Sequence, residues 1–320
     1  MAEEGHYYNI GENLKISIEN LYKDNEHLLK QIEAGIGQQP KASPVVGYQG
    51  VEGSFGQEAA VTYFEEKDAK FIAHEEFEEI FEALIKGTID YGVVPIENSS
   101  AGEVLEIYDL MIKHSIYIVG EQVIKIEQNL LALKGATIEG LREVYSKAEA
   151  LSQSKGFLRA NKHIEEKPYV NTAMASQYVA QTNDLTKAAI GSKRAAKLYG
   201  LEILKENIHF NDSNCTRFII LGKNMDITEN CDKISIVFNT THTSGALYNI
   251  LGHFAYNGLN LLKIQSRPLQ EKTWHYFFFA DLEGNLQDAN VLIALIKVKE
   301  QSEYFKILGN YKSHDEGGIA

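Results

Sequence analysis

Three short segments carry residue types and spacings that could do chemistry. The first, Gly47-Tyr48-Gln49-Gly50-Val51-Glu52-Gly53-Ser54-Phe55, leads an apolar strand through glycines into a helical pattern starting at Gly56. Backbone N–H groups at such a helix start attract anions, although glycine turns are also common as plain strand-to-helix connections. The second, Val94-Pro95-Ile96-Glu97-Asn98-Ser99-Ser100-Ala101-Gly102, ends an apolar strand in a dense polar cluster. Open α/β sheets bind ligands at strand C-termini, while Asn98 and Ser99 could equally cap a helix beginning near Gly102. The third, Asn214-Cys215-Thr216-Arg217-Phe218, enters the strand Ile219-Ile220-Leu221. In an extended chain Asn214, Thr216 and Phe218 share one face and Arg217 points away. A threonine at a strand start is more often structural than catalytic, so the residues alone leave its role open.

The elements that must position these segments come from the apolar periodicity. In residues 1–44, Leu14, Ile18, Leu21, Tyr22, Leu29 and Ile32 fall on one helical stripe, which Gly35, Gly37, Pro40 and Pro44 then break. From Val45 short apolar runs alternate with helical patterns, the form of an α/β domain with mainly parallel strands. Strands are predicted to begin at Val45, Lys70, Tyr91, Ser115, Glu143 and Ala188, with a further one over Thr216–Leu221. Helices are predicted over 56–66, 75–86, 148–160, 172–181 and 192–199, the last closed by Gly200. After the polar stretch Asp226–Asp232 the order becomes strand, helix, strand, strand, helix, strand, which is ferredoxin-like. There Ile234, Ile236 and Phe238 alternate as in a half-buried strand. A helix covers 244–256, strands cover 259–265 and 273–282, a helix with Asp288 as cap covers 288–301, and a strand covers 304–308. Such a sheet has exposed edges, so a homo-oligomer is expected.

Composition bounds the function classes. A chain of 320 residues, 44% hydrophobic and 23% charged, is globular material for two or three packed units. The net charge of −13 argues against a nucleic-acid surface. No window approaches the roughly 18 apolar residues of a membrane helix, and residues 1–20 lack a secretion signal, so the expected place is the cytoplasm. Cys215 and Cys231 form neither a disulfide framework nor a metal-ligand pair. With the ten histidines scattered, no metal is expected.

The three segments, in this order and at these separations, resemble the prephenate dehydratase family, and the similarity runs from Val45 to about Lys312. Gly47–Ala60 is similar to its opening Tyr-Gln-Gly strand and helix, Pro95–Gly102 to its Pro-Ile-Glu-Asn-Ser motif, and Thr216-Arg217-Phe218 to its Thr-Arg-Phe motif. Thr172-Ala173 resembles a Thr-Ala helix start, and Ser146 opens a further motif in which Lys147, Ala148 and Glu149 depart from the usual Ser-His-Pro-Gln. Downstream, Gly245-Ala246-Leu247 resembles the helix start of an ACT regulatory domain, Asn260-Leu261 its second strand, and Gln265-Ser266-Arg267-Pro268 its Glu-Ser-Arg-Pro.

The resemblance implies an α/β two-lobed, periplasmic-binding-protein-like catalytic domain over 45–224, with lobe 1 about 45–120 and 205–224 and lobe 2 about 121–204. An α+β ferredoxin-like ACT domain over 233–313 and a tail over 314–320 would follow. It implies conversion of prephenate to phenylpyruvate, carbon dioxide and water without a cofactor, with Thr216 catalytic. Glu97, Asn98, Ser99, Ser146, Thr172, Asn214, Arg217 and Phe218 would bind substrate, aided by the Gly50–Ser54 backbone. L-Phenylalanine would act as allosteric inhibitor through Gly245, Ala246, Leu247, Asn260, Gln265, Ser266, Arg267 and Pro268 in a homodimer or homotetramer. Gln265 in place of Glu keeps an acceptor but loses charge, so binding of phenylalanine with reduced strength is expected. Relatives carry a chorismate mutase domain ahead of the dehydratase. Residues 1–44 are too short for the roughly three long helices a mutase needs, and an interaction helix or a remnant without mutase activity is expected there instead. Arogenate dehydratase and a non-catalytic amino-acid sensor are the alternatives.

Overall fold

The predicted strands pair into sheets in a computed structural model that describes residues 25–38, 41–211, 213–268 and 276–314. The described residues divide into two compact units, one covering 41–223 with 313–314, the other covering 25–38 with 224–312.

After α1 (Glu26–Gly35), which belongs to the second unit, the first unit builds two lobes. One contains β1 (Val45–Gln49), α2 (Phe55–Tyr63), β2 (Lys70–His74), α3 (Phe77–Lys86), β3 (Tyr91–Asn98), β4 (Gly102–Glu103), α4 (Leu105–Lys113) and β5 (Tyr117–Lys125). The other contains β6 (Asn129–Ala132), β7 (Glu143–Ser146), α5 (Ala148–Gln153), α6 (Lys155–Ala160), β8 (Glu165–Pro168), α7 (Thr172–Thr182), β9 (Lys187–Gly191), α8 (Lys193–Tyr199) and β10 (Glu202–Lys205). The chain then returns to the first lobe as β11 (Cys215–Gly222).

The strand order in the first lobe is β5-β11-β3-β1-β2, with β1 parallel to β2 and β3 and the returning β11 antiparallel to both its neighbours. The second lobe has the order β10-β6-β9-β7-β8. This is the two-lobed α/β architecture expected. Each lobe closes its own core, around Phe64, Val93 and Phe218 in one and around Leu130, Val144 and Ile190 in the other.

Several boundaries differ from expectation for physical reasons. β5 stays in the first sheet through Lys125, because β11 pairs along its whole length. The helix predicted over 148–160 breaks at Ser154, which leaves helical geometry at ψ 10 between α5 and α6. The strands β8 and β10 lie at sheet edges with exposed charged residues, so no apolar alternation announced them. β6 was missed because it is only four residues long and buried throughout.

The second unit contains β12 (Lys233–Asn239), α9 (Ala246–Tyr256), β13 (Leu261–Pro268), β14 (Tyr276–Glu283), α10 (Ala289–Glu300) and β15 (Phe305–Tyr311). Their order, β13-β14-β12-β15, is ferredoxin-like. β12 is buried at all seven positions instead of alternating. Its polar members are paired inside: the Ser235 hydroxyl donates to Asp281 at 2.6 Å and lies 2.8 Å from the Tyr311 hydroxyl. Asp288 takes the cap position of α10 but makes no side-chain cap bond.

Leu28, Ile32 and Gly35 of α1 are buried, and a Cβ at Gly35 would stand 2.8 Å from the Met225 Cβ. Leu28, not the predicted Leu29, is thus the fully buried member of the pair. Leu14, Ile18, Leu21 and Tyr22, the start of the strand predicted from Thr273, and the tail beyond His314 lie outside the described residues.

Candidate active site

A β-bulge between β3 and β11 sets the site. Thr216 pairs with Asn98 and Phe218 with Pro95, so β3 carries one residue more than β11 between the two pairs. Pro95 has no N–H for a regular ladder, and the extra residue shifts the phase of β3 by one. Pro95 and Asn98, three positions apart, therefore both line one cavity of about 320 Å³ with Thr216 and Phe218.

The remaining walls come from both lobes. Gln49, Ser54, Phe55 and Gly56 contribute the start of α2, whereas Lys147, Glu149, Gln153, Asn171 and Thr172 come from the second lobe. Gly56 is obligatory there, because a Cβ would meet the Gln49 carbonyl oxygen at 2.5 Å. Ser54 caps α2, its side chain accepting from the Gln57 N–H.

Asn98 organises the floor. Its Nδ2 donates to Thr216 Oγ1 at 2.9 Å, Asn214 Oδ1 at 2.9 Å and the Cys215 carbonyl at 3.1 Å. Its Oδ1 accepts from the N–H groups of Ser100 and Ala101 at 2.9 and 2.8 Å. Accepting the Asn98 bond leaves the Thr216 hydroxyl its own proton to donate into the cavity. Asn214 also donates to Gln153 Oε1 at 3.2 Å, which ties β11 to the second lobe.

The expected residues divide. Thr216, Asn98, Asn214, Phe218 and Thr172 line the cavity together. Glu97, Ser99, Ser146 and Arg217 are not among its lining, and each has a structural partner instead. Arg217 lies on the opposite face of β11, 2.8 Å from Glu97 and 3.5 Å from the buried Glu121, and so locks β11 to both neighbouring strands. Ser99 donates to the Ser213 carbonyl at 3.1 Å and accepts from the Cys215 N–H at 3.0 Å. Ser146 is fully buried and donates to the Ile190 carbonyl at 2.7 Å, joining β7 to β9.

Gln128, Gln153, Lys147 and Glu149 line the cavity without having been anticipated as ligands. Only the motif departure at Lys147 and Glu149 drew attention to that turn in the sequence. Gln128 and Gln153 have no local signal, since their positions depend on how the second lobe folds back.

In the second unit Gly245, Ala246 and Leu247 line a separate cavity of about 510 Å³ with Tyr248, Tyr276 and Phe278. Gly245 has φ 82°, a left-handed conformation suited to glycine. Asn260, Gln265, Ser266, Arg267 and Pro268 are not part of that lining. Ser266 and Pro268 are the ladder partners of Phe278 and Tyr276, and Gln265 and Arg267 alternate with them along β13.

Comparison with known proteins agrees with this geometry. The sequence profile of the prephenate dehydratase family matches residues 46–226. The chain is 33% identical over 267 residues to a bifunctional chorismate mutase/prephenate dehydratase of Neisseria gonorrhoeae, covering 83% of this chain and 74% of that protein. It is 36% identical over 277 residues to arogenate dehydratase/prephenate dehydratase 2 of Arabidopsis thaliana, covering 83% and 72%. Among solved structures, a prephenate dehydratase from Arthrobacter aurescens in complex with L-Phe has a TM-score of 0.76 at 27% identity, covering 84% of this chain and 89% of that one. GqqA, described as a novel type of quorum quenching acylase, has a TM-score of 0.77 at 27% identity, covering 84% and 98%. A profile match across more than half the chain, and relatives above 30% identity over most of it, establish that this protein belongs to the prephenate dehydratase family.

Proposed function

We propose that the cavity beside Thr216 carries out a decarboxylative dehydration that turns prephenate into phenylpyruvate, carbon dioxide and water. The carbon–carbon bond to the ring carboxylate breaks, its electron pair completes the aromatic ring, and the ring hydroxyl leaves on the opposite side. Aromatisation drives the reaction, so the protein's task is to orient the carboxylates and assist the departing oxygen.

The observation that carries this reading is the 2.9 Å bond from Asn98 to Thr216, which uses the threonine oxygen as acceptor and leaves its proton available for a ligand in the cavity. A threonine hydroxyl is too weak an acid for full proton transfer near neutral pH. Thr216 therefore stabilises the leaving oxygen by hydrogen bonding, and a relay supplies the proton that completes water. The start of α2 at Ser54 and the second-lobe Thr172 hold the substrate from either side. In the test, Thr216→Ala lowers kcat at least about a hundredfold with a smaller change in KM. Turnover near that of the unaltered protein would remove Thr216 from this role.

Feedback regulation by phenylalanine at the cavity beside Gly245 belongs to the same reading. The support is the complex of the Arthrobacter aurescens relative with L-Phe and the match of Gly245, Ala246 and Leu247 to that cavity. Assembly as a homodimer or homotetramer would bring a second copy to the exposed edge strand β13. A cytoplasmic place fits two cysteines that are both free. A second reading, with arogenate as substrate, is favoured by the glutamates in the cavity wall.

A further inference from the structure

We infer that Arg194 and Tyr199, on helix α8 of the second lobe, are positioning residues that clamp the peptide unit between Glu52 and Gly53 and so fix the start of α2 for the substrate carboxylate that does not react. The inference rests on the dehydratase reading and adds to its site two residues that do not line the cavity. The Tyr199 hydroxyl donates to the Glu52 carbonyl at 2.6 Å. At the other end of the same peptide unit the Gly53 N–H donates to Gln57 Oε1 at 2.8 Å, and Arg194 Nε donates to that oxygen at 3.3 Å. One helix thus holds both poles of one peptide group, directly through a hydroxyl and indirectly through a glutamine that is only 7% exposed.

The turn needs such a clamp. Gly50 and Gly53 both have positive φ, at 107° and 85°, and glycines there leave the peptide units of the turn little preference of their own for one orientation. Ser54 follows at once and caps α2, while Ser54, Phe55 and Gly56 line the cavity. A rotation of the 52–53 peptide would carry the cap and the first N–H groups of α2 away from the place where they can meet an anion.

Helix α8 is itself fixed. Ala195 and Ala196 are buried in the second-lobe core with Leu131, Val179 and Ala189, and Ser192 caps the helix by accepting from the Ala195 N–H at 3.0 Å. It also fits the turn closely, since a Cβ at Gly53 would stand 3.1 Å from Leu198 Cδ2 and 3.4 Å from Tyr199 Cε2. Burial and, after it, the Glu52 carboxylate push the Tyr199 hydroxyl above its ordinary range, so it remains a donor. Prephenate and arogenate both carry a side-chain carboxylate, so the clamp serves either. That group is held alike before and during the chemistry, and loss of the clamp therefore weakens binding more than turnover.

The test is steady-state kinetics on prephenate and arogenate with the purified full chain, alongside its melting temperature. Tyr199→Phe keeps the ring and removes only the hydroxyl. Its KM should rise about fivefold, the scale of one hydrogen bond, with kcat within about twofold. Arg194→Met should raise KM about tenfold, the scale of a charge-assisted bond, and Arg194→Lys, which keeps a donor, should lose less. A merely structural role would lower the melting temperature and leave KM where it is. An unchanged KM in Tyr199→Phe, or a loss carried by kcat in either residue's variants, would overturn the inference alone. If Arg194→Met fails to fold, Tyr199→Phe decides it. Absence of turnover by the unaltered protein on both substrates would overturn the dehydratase reading as well.

Discussion

The two cavities of this protein assemble their motifs differently. Beside Thr216, residues from positions far apart in sequence converge on one floor, so Asn98, Asn214 and Thr216 form a single hydrogen-bonded cluster. Beside Gly245, only the helix-start half of the motif lines the cavity, while residues 265–268 spread over both faces of β13. A site that performs chemistry must hold its groups to a fraction of an ångström, and a folded-back strand such as β11 provides that within one chain. In the proposed reading the second cavity senses phenylalanine, and a divided site would suit it because a second copy at the edge strand would complete it.

The largest test of this contrast removes the Thr216 hydroxyl. Kcat should fall at least about a hundredfold in Thr216→Ala, while phenylalanine affinity measured by calorimetry stays within about twofold. Parallel loss of both would show that the two cavities are one energetic unit.

Arg217→Met separates positioning from chemistry. The substitution removes the guanidinium that stands 3.5 Å from Glu121, whose side chain is only 4% exposed. We expect stability to drop by about 2 kcal/mol or more in denaturant titration. The surviving folded enzyme should keep kcat within about tenfold, because Arg217 does not line the cavity.

Gly245→Val acts on the other side of the comparison. It forces a β-branched residue into φ 82° at the cavity wall. Phenylalanine should bind about tenfold more weakly in calorimetry, or about 1.4 kcal/mol, with turnover in its absence unchanged.

The smallest effect is a pH dependence. Burial pushes the Lys306 ammonium down to about 8 from the ordinary 10.5. Between these values the unfolded chain binds a proton that the folded chain has lost, so stability rises with pH through that window. At neutral pH both states are charged and the folded one carries the cost of burial. Lys306→Met should therefore raise stability at pH 7 by about 1 kcal/mol and flatten the rise above pH 8, as thermal melts across pH would show.

Much of the architecture was legible because burial imposes periodicity. β1, β2, β3 and β7 begin at their predicted residues, and the ferredoxin-like order of the second unit follows from its element sequence. Edge strands such as β8, Glu165–Pro168, were not legible, since a strand with little buried surface has no apolar signature.

Within the site, alternation in the sequence placed Asn214, Thr216 and Phe218 on one face and Arg217 on the other, as the structure has it. It could not place Pro95 and Asn98 on that same face, because a one-residue bulge reverses strand phase and is decided by pairing across the sheet. Nor could it reveal that Ser146 faces β9 while Lys147 and Glu149 face the cavity. By itself the sequence determined which residues were available, the apolar signature of elements such as β1, β2, β3 and β7, and the family. Only the tertiary structure decided which hydroxyl meets which amide, because those contacts span 116 residues or more and depend on how two lobes and a returning strand pack.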